Sequence, residues 1–389
     1  MFDLYIASML VFIALLALFF WYDRKNVQRQ SILLLRKTTK GKAFLTSLGR
    51  RFPRIWWVYG SAAVASGFIA SVFISIFLLN MVSVSLTTEA EAPLAIVLPS
   101  PTSDLVMVPG VMGVPFWYWI ISIFLLILVH EGSHGIMAAR EKVRIKTLGW
   151  GLLAVIPLAF VEPDEKQLQK EKPMKQLRVF AAGSFGNFVL AGVAFIVIMF
   201  SVPALFAPAG VGYSTLIQDY PAEQANLTGT ITSIGSYDIM TPQDLSDALV
   251  EIGPGKGITI TTQTMTGDGY EERVFSLMTV DRPDGESGGF IGIAPVFQGY
   301  QLRDNTGNPG LINFLFGSSP NFMGLFSFLF LINFGVGLFN LLPIGPLDGG
   351  RMWRIVFDKV APNQSKAVMN GISWLFFLVI LLLFTSAFI

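Results

Sequence analysis

The sequence predicts a polytopic α-helical membrane protein that carries one small β-rich insert outside the bilayer. Three observations predict it. Of 389 residues, 53% are hydrophobic and 14% charged, with a mean hydropathy of +0.60. A soluble domain averages about 25% charged residues. Apolar runs recur at 2–22, 56–79, 116–139, 178–201, 322–343 and 368–388, each long enough to span a bilayer. The basic residues are also segregated. Twenty-three of 27 Lys and Arg fall in 23–54, 140–178 and 351–366.

Six helices put those three basic stretches on one side, and cytoplasmic loops carry the excess of Lys and Arg. Both termini are then outside, with 80–115 and 202–321. The first of these segments has no Lys or Arg, and the second has only Lys256, Arg273, Arg282 and Arg303. Trp21, Tyr22, Trp56, Trp57, Trp117 and Trp119 lie near the ends of spans, where amphipathic rings favour the interface. The run 2–22 lacks a basic leader and a small-residue cleavage site, so it is expected as a permanent helix.

Five regions follow. Residues 1–79 hold two helices and a basic loop, which reads as an inside-facing anchor with anionic lipid heads as an alternative partner. Residues 80–115 read as an extracytoplasmic linker without readable chemistry. Residues 116–201 form a membrane core, 205–300 the insert, and 320–389 the last two helices. Within the core, 148–161 is apolar but broken by Gly149, Gly151 and Pro157. It is too short to span, so a re-entrant or interfacial hairpin on the cytoplasmic side is expected, against the alternative of a loop lying flat on the surface.

Strands are expected in the insert at 214–218, 229–239, 257–264, 272–280 and 290–296, with an Asp268-Gly269 hairpin turn. Thr241 should cap a helix that has Pro242 in its first turn, and 221–225 should form a second, short helix. Together these make a small, partly open β-barrel with two helices. The run 219–249 is similar to PDZ domains, a resemblance that extends over 211–300. It implies a domain that adds a peptide strand to a sheet edge and seats a peptide end in a pocket.

The chemistry sits in the third helix, at His130-Glu131-Gly132-Ser133-His134. Spacing i to i+4 puts both imidazoles on one face, the geometry of two zinc ligands. The glutamate between them is placed to act as general base on a water. These are the only two histidines in the chain. Ionisable groups are expensive inside an apolar helix and usually functional there. The bland alternative is a polar cluster that glues helices together. The chain has no cysteine, which excludes a disulfide framework and a thiolate site. Catalytic zinc takes three protein ligands and keeps one open position. The third ligand must then be a carboxylate or, less often, an amide. Asp348 follows two helix-breaking prolines, Pro343 and Pro346, near the same interface. Residue type alone leaves it open whether Asp348 binds metal or only caps a helix.

Three motifs together resemble the site-2 protease family of intramembrane metalloproteases: the His130–His134 motif, Gly183-x-x-x-Asn187, and Asn340-x-x-Pro343-x-x-Pro346-Leu347-Asp348-Gly349. The resemblance implies that Asp348 is the third zinc ligand, that Asn187 faces the active site and that Asn340 lies beside it. Either amide is then a candidate donor to the substrate carbonyl. The implied activity is zinc-dependent endoproteolysis within transmembrane segments of membrane-anchored substrates. Membrane-protein quality control and signal-peptide clearance are alternatives within the same chemistry. A non-enzymatic peptide-binding or metal-transport protein is a further alternative. Transport is disfavoured, because the polar residues cluster toward one side of the bilayer. The expected setting is a prokaryotic or archaeal plasma membrane, with the active site toward the cytoplasm. Nothing in the pattern points to nucleic acid.

Overall fold

The computed structural model describes residues 4–30, 33–87, 94–153, 156–266, 269–303, 306–317 and 323–386. The chain divides into two compact units, Met1–Val193 with Phe328–Ile389, and Ala194–Ser327.

The first unit opens with helix α1 (Leu4–Tyr22). The basic stretch that follows is more than an anchor. It forms strands β1 (Val27–Gln30) and β2 (Leu33–Thr38) and helix α2 (Lys42–Arg51). Helix α3 (Pro53–Thr87) comes next. The expected linker is also structured. Strands β3 (Ile96–Ser100), β4 (Val106–Val108) and β5 (Val111–Pro115) make a three-stranded sheet. Val and Met flank a tight turn at Pro109-Gly110, where Gly110 takes φ +70°. This sheet runs directly into α4 (Phe116–Arg140), and the Trp119 indole donates to the Val97 carbonyl at 3.3 Å.

Beyond α4, the apolar stretch 148–161 lies within a hairpin of β6 (Ile145–Leu153) and β7 (Ile156–Pro163). Its tip, Ala154-Val155, is outside the described residues. The hairpin joins the N-terminal strands in one antiparallel sheet of order β1-β2-β6-β7. Gly149 and Gly151, which look like interruptions in the sequence, are cross-strand notches. A side chain at Gly149 would run into the Phe160 ring, and one at Gly151 into the Leu34 carbonyl.

A short helix, α5 (Glu165–Leu168), is capped by Asp164, and α6 (Pro173–Leu205) follows. The second unit then begins. Its strands and helices are β8 (Phe206–Leu216), α7 (Pro221–Gln224), β9 (Thr230–Ile234), β10 (Tyr237–Asp238), α8 (Pro242–Ile252), β11 (Gly257–Thr266), β12 (Gly269–Met278), β13 (Val280–Asp281), β14 (Gly289–Phe290), β15 (Ile293–Leu302) and α9 (Pro309–Phe316). The main sheet runs β12-β11-β9-β8-β15, with β10 paired to β9.

Several expected boundaries move. The first strand begins at Phe206, and the last runs to Leu302. The expected strand 229–239 splits into β9 and β10, because Gly235 turns the chain at φ +58°. In the β11–β12 hairpin Thr266 faces Gly269, and Asp268 of the expected turn lies outside the described residues. Thr241 caps α8 in a capping box: its hydroxyl accepts from the Asp244 N–H, while the Asp244 carboxylate accepts from the Thr241 N–H. Inward positions of strands and helices close one core that includes Val211, Leu227, Ile231, Ile234, Ile260 and Ile291. Each such side chain contributes about 1.5–3 kcal/mol on burial.

The chain returns to the first unit through α10 (Leu325–Phe339), then α11 (Asp348–Val360) and α12 (Ser365–Thr385). Among the described residues five helices, α1, α3, α4, α6 and α12, are long and apolar enough to cross a membrane. Within the described part of the run expected at 322–343, the helix is the 15-residue α10. At 1.5 Å per residue that is about 22 Å, short of a hydrocarbon core of about 30 Å. The remaining residues turn at Asn340–Leu347 around the two prolines. Small residues bring the helices of this unit together. At Gly67 an added Cβ would lie 2.9 Å from the Met352 methyl, so α3 and α11 meet there closely. Ala63, Val64, Ala181, Leu341 and Met352 pack around that contact.

Candidate metal centre

Helix α4 presents His130, Glu131 and His134 from its second half, as the 3.6-residue repeat requires. Asp348 arrives as the first residue of α11. The turn that delivers it is tight. The Gly349 N–H donates to the Asn340 carbonyl at 2.9 Å. Side chains at Gly349 and Gly350 would strike the Leu341 and Ile344 carbonyls. The double glycine is therefore the condition for folding Asp348 back beside α10.

Three donor atoms converge. His130 Nε2 and His134 Nε2 are 3.2 Å apart, and Asp348 Oδ2 lies 3.5 Å and 3.4 Å from them. Among the described residues this is the one group of three His, Cys, Asp or Glu placed to hold a metal ion. The separations fit the group. A tetrahedral zinc site with bonds of about 2.0–2.1 Å has ligand atoms about 3.3 Å apart. The donor chemistry fits as well. Two imidazole lone pairs and a carboxylate oxygen facing one another repel unless a cation lies between them.

The outer nitrogens are held too. His134 Nδ1 donates to the Val179 carbonyl at 2.7 Å, which leaves its Nε2 free as a ligand. His130 Nδ1 lies 3.1 Å from Asn187 Nδ2, while Asn187 Oδ1 is buried without a partner. An amide turned over by 180° exchanges these two atoms. Asn187 Oδ1 then accepts the His130 Nδ1–H, which satisfies the orphan oxygen and frees His130 Nε2. Ser184 donates to Asp348 Oδ2 at 3.3 Å. Gly183 makes room for all of this, because a Cβ there would overlap His134 Nε2 and come within 2.8 Å of His130.

Glu131 faces a different neighbour. Its Oε2 accepts the Val161 N–H at 2.8 Å, which ties β7 to α4. Two residues on, Ser133 Oγ lies 3.0 Å from the Tyr59 hydroxyl, which donates to the Ala182 carbonyl at 3.2 Å.

The structure thus brings together His130, Glu131, His134, Asn187 and Asp348. Asn340 is linked to the group through its backbone carbonyl rather than its amide. Sequence reading missed Val179, Val161, Ser184 and Tyr59. Ser184 sits inside the Gly183–Asn187 stretch and was open to notice. The Val179 and Val161 contacts are made by backbone atoms, which leave no mark on residue identity.

Apolar helices around a His-His-Asp group, with a glutamate between the histidines, are the arrangement expected of a zinc centre in a membrane metallopeptidase. The comparisons agree. The model of peptidase family M50 matches residues 118–384, and the chain belongs to that family. It is 26% identical over 176 residues to a membrane-bound transcription factor site-2 protease homolog of Arabidopsis thaliana, covering 45% of this chain and 33% of that protein. An uncharacterized protein of Methanocaldococcus jannaschii is 24% identical over 340 residues, 85% of this chain and 80% of the relative. A putative zinc metalloprotease of Staphylococcus aureus is 24% identical over 278 residues, 59% of this chain and 62% of the relative. The chain therefore spans about a third of the Arabidopsis protein and under two thirds of the staphylococcal one. The family, the zinc metalloprotease relatives and the His-His-Asp group agree on zinc as the cofactor, in a chain with several apolar helices long enough to cross a membrane.

Proposed function

We propose that this protein is an intramembrane endopeptidase that cleaves transmembrane segments of membrane-anchored proteins. The observation that carries the reading is the His130–His134–Asp348 group, set between apolar helices with Glu131 beside it. His130, His134 and Asp348 would hold the zinc. When bound, zinc supplies Lewis acidity and lowers the pKa of a water. Glu131 takes a proton from the attacking water and delivers it to the departing amide nitrogen. The C–N bond breaks, the water oxygen joins the carbonyl carbon, and one carboxylate and one amine leave.

Asn187 orients His130, since its amide lies against Nδ1. That contact favours a positioning role over direct donation to the substrate carbonyl. Asn340 remains the candidate donor near the site.

A transmembrane substrate must unwind to expose its peptide bonds, and β7 offers the edge that receives it. In an antiparallel pair the backbone groups of alternate residues point to opposite sides. The Val161 N–H points to Glu131, away from β6, so the Ala159 N–H and carbonyl face the same way. Pro157 and Pro163 share that side and carry no N–H. Ala159 is therefore the donor left for an incoming strand.

In this reading α10 completes a sixth span together with the turn at Asn340–Leu347. Both termini and the PDZ-like insert lie outside the cell, and the site lies toward the cytoplasm. The insert recognises a peptide end or limits the size of what approaches. A transmembrane reporter incubated with purified protein in detergent tests the proposal. Cleavage is expected to stop with a zinc chelator. Glu131→Gln should lower it by about 10²–10⁴-fold while retaining zinc. A Glu131→Gln protein that binds zinc and cleaves at the parent rate would falsify the mechanism.

A further inference from the structure

A cleft of about 700 Å³ lies where α5 and the start of α6 meet α11. Glu165, Gln176, Phe180, Arg351, Arg354 and Lys359 are among its lining residues. Two of these are neighbours in sequence of residues at the metal group. Phe180 follows Val179, whose carbonyl holds His134. Arg351 stands one turn of α11 after Asp348, and its positive charge acts on both Asp348 and Glu131.

The charges in the cleft are unevenly matched. Asp358 accepts from Ser365 at 2.5 Å and lies 3.9 Å from Arg354. Among the described residues no carboxylate is in salt-bridge contact with Arg351. Its guanidinium instead lies over the Phe180 ring, 5.4 Å from the centroid. An aromatic platform fixes a guanidinium in plane and leaves its forked N–H edge open. That edge matches a carboxylate, which it binds with two parallel hydrogen bonds.

We infer that Arg351, held on Phe180, binds the new terminal carboxylate of the cleaved peptide and leads it into this cleft. The inference rests on the protease reading, since hydrolysis is what creates that carboxylate. The scissile carbonyl carbon gains the water oxygen beside Asp348, so the anion is born one helical turn from Arg351. Arg354 and Lys359 continue the positive lining outward. The ligand class is a peptide ending in a free α-carboxylate. An uncleaved transmembrane segment has no such group, so the subsite distinguishes product from substrate.

The test uses zinc-loaded, full-length Glu131→Gln protein in detergent. The probes are a fluorescein-labelled apolar heptapeptide with a free C-terminal carboxylate and the same peptide ending in a carboxamide. Fluorescence anisotropy gives the affinity of each. The acid is expected to bind about tenfold more tightly, the effect of one charge-assisted pair. Adding Arg351→Gln should bring the ratio to about one. Arg351→Lys guards against a folding failure. It should still lower the ratio, by about threefold, because an ammonium cannot make the forked pair. The preference should persist after zinc is removed by a chelator. An unchanged ratio in either folded Arg351 variant, no preference in the parent, or a preference that vanishes with zinc overturns the proposal. Binding needs no turnover, so a protein that cleaves the reporter but shows no preference loses this inference alone.

Discussion

Two strands close the edges of the two large sheets, and they are built from opposite chemistries. Strand β12, in the insert, is exposed and charged through Glu271, Glu272 and Arg273. Charge on an edge strand discourages pairing with another chain. Strand β7 reads Ile-Pro-Leu-Ala-Phe-Val-Glu-Pro, apolar up to Glu162. Its outer edge is narrowed by two prolines, and one of its two remaining outward N–H groups is held by Glu131. The first edge carries its charge in one block, Glu271–Arg273. The second is closed everywhere except beside Glu131. A β-edge is a hazard in one part of the molecule and a candidate tool in the other, and a few side chains make the difference.

Glu131 gives the largest contrast between them. Glu131→Gln should cost about 10²–10⁴ in reporter cleavage, whereas Glu272→Gln, on the other edge, should leave the rate within about twofold. Next comes Ala159→Pro, which removes the free outward N–H of β7 from a position that does not bond to β6. Cleavage should fall by up to about tenfold, the worth of one hydrogen bond, with zinc content unchanged by metal analysis. A parent-like rate in a folded Ala159→Pro protein would break the comparison. Replacing Glu271, Glu272 and Arg273 together by Val should leave cleavage near the parent rate but raise aggregation, read by light scattering.

The smallest effects are confined to the insert. Thr241→Ala removes the α8 cap and should lower the insert's unfolding free energy by about 1 kcal/mol, with no change at the metal centre. Acid should act in the same region. Arg282 holds the Asp284 carboxyl down to about 2, and the Thr241 and Met240 N–H groups lower that of Asp244. A depressed carboxyl stabilises the fold above its unfolded pKa of about 3.9 and loses that contribution as pH falls toward the folded value. The insert should therefore lose stability between about pH 4 and pH 2, measured by circular dichroism.

The legible and illegible parts of this protein follow from what residue identity can carry. His130, Glu131 and His134 stood out because charge is rare in an apolar helix, and Asp348 because two prolines end the helix before it. Asn187 was legible as a neighbour of the site, but its hold on His130 depends on how α4 and α6 pack. Strands β1 and β2 were hidden because Arg29, Arg36 and Lys37 make that stretch look like a plain basic loop. The sheet at 96–115 was hidden because three short strands give too little periodicity. Val161 and Val179 contribute only backbone atoms, and any residue has those.

The turn that folds Asp348 back beside α10 also has a consequence in time. The two histidines are made before the aspartate, which follows more than 200 residues later, after the whole insert. Until then the growing chain holds two of the three side chains that converge in the folded protein. The group is thus completed only when the last helices are made, and a chain that stops within the insert carries the two histidines without Asp348.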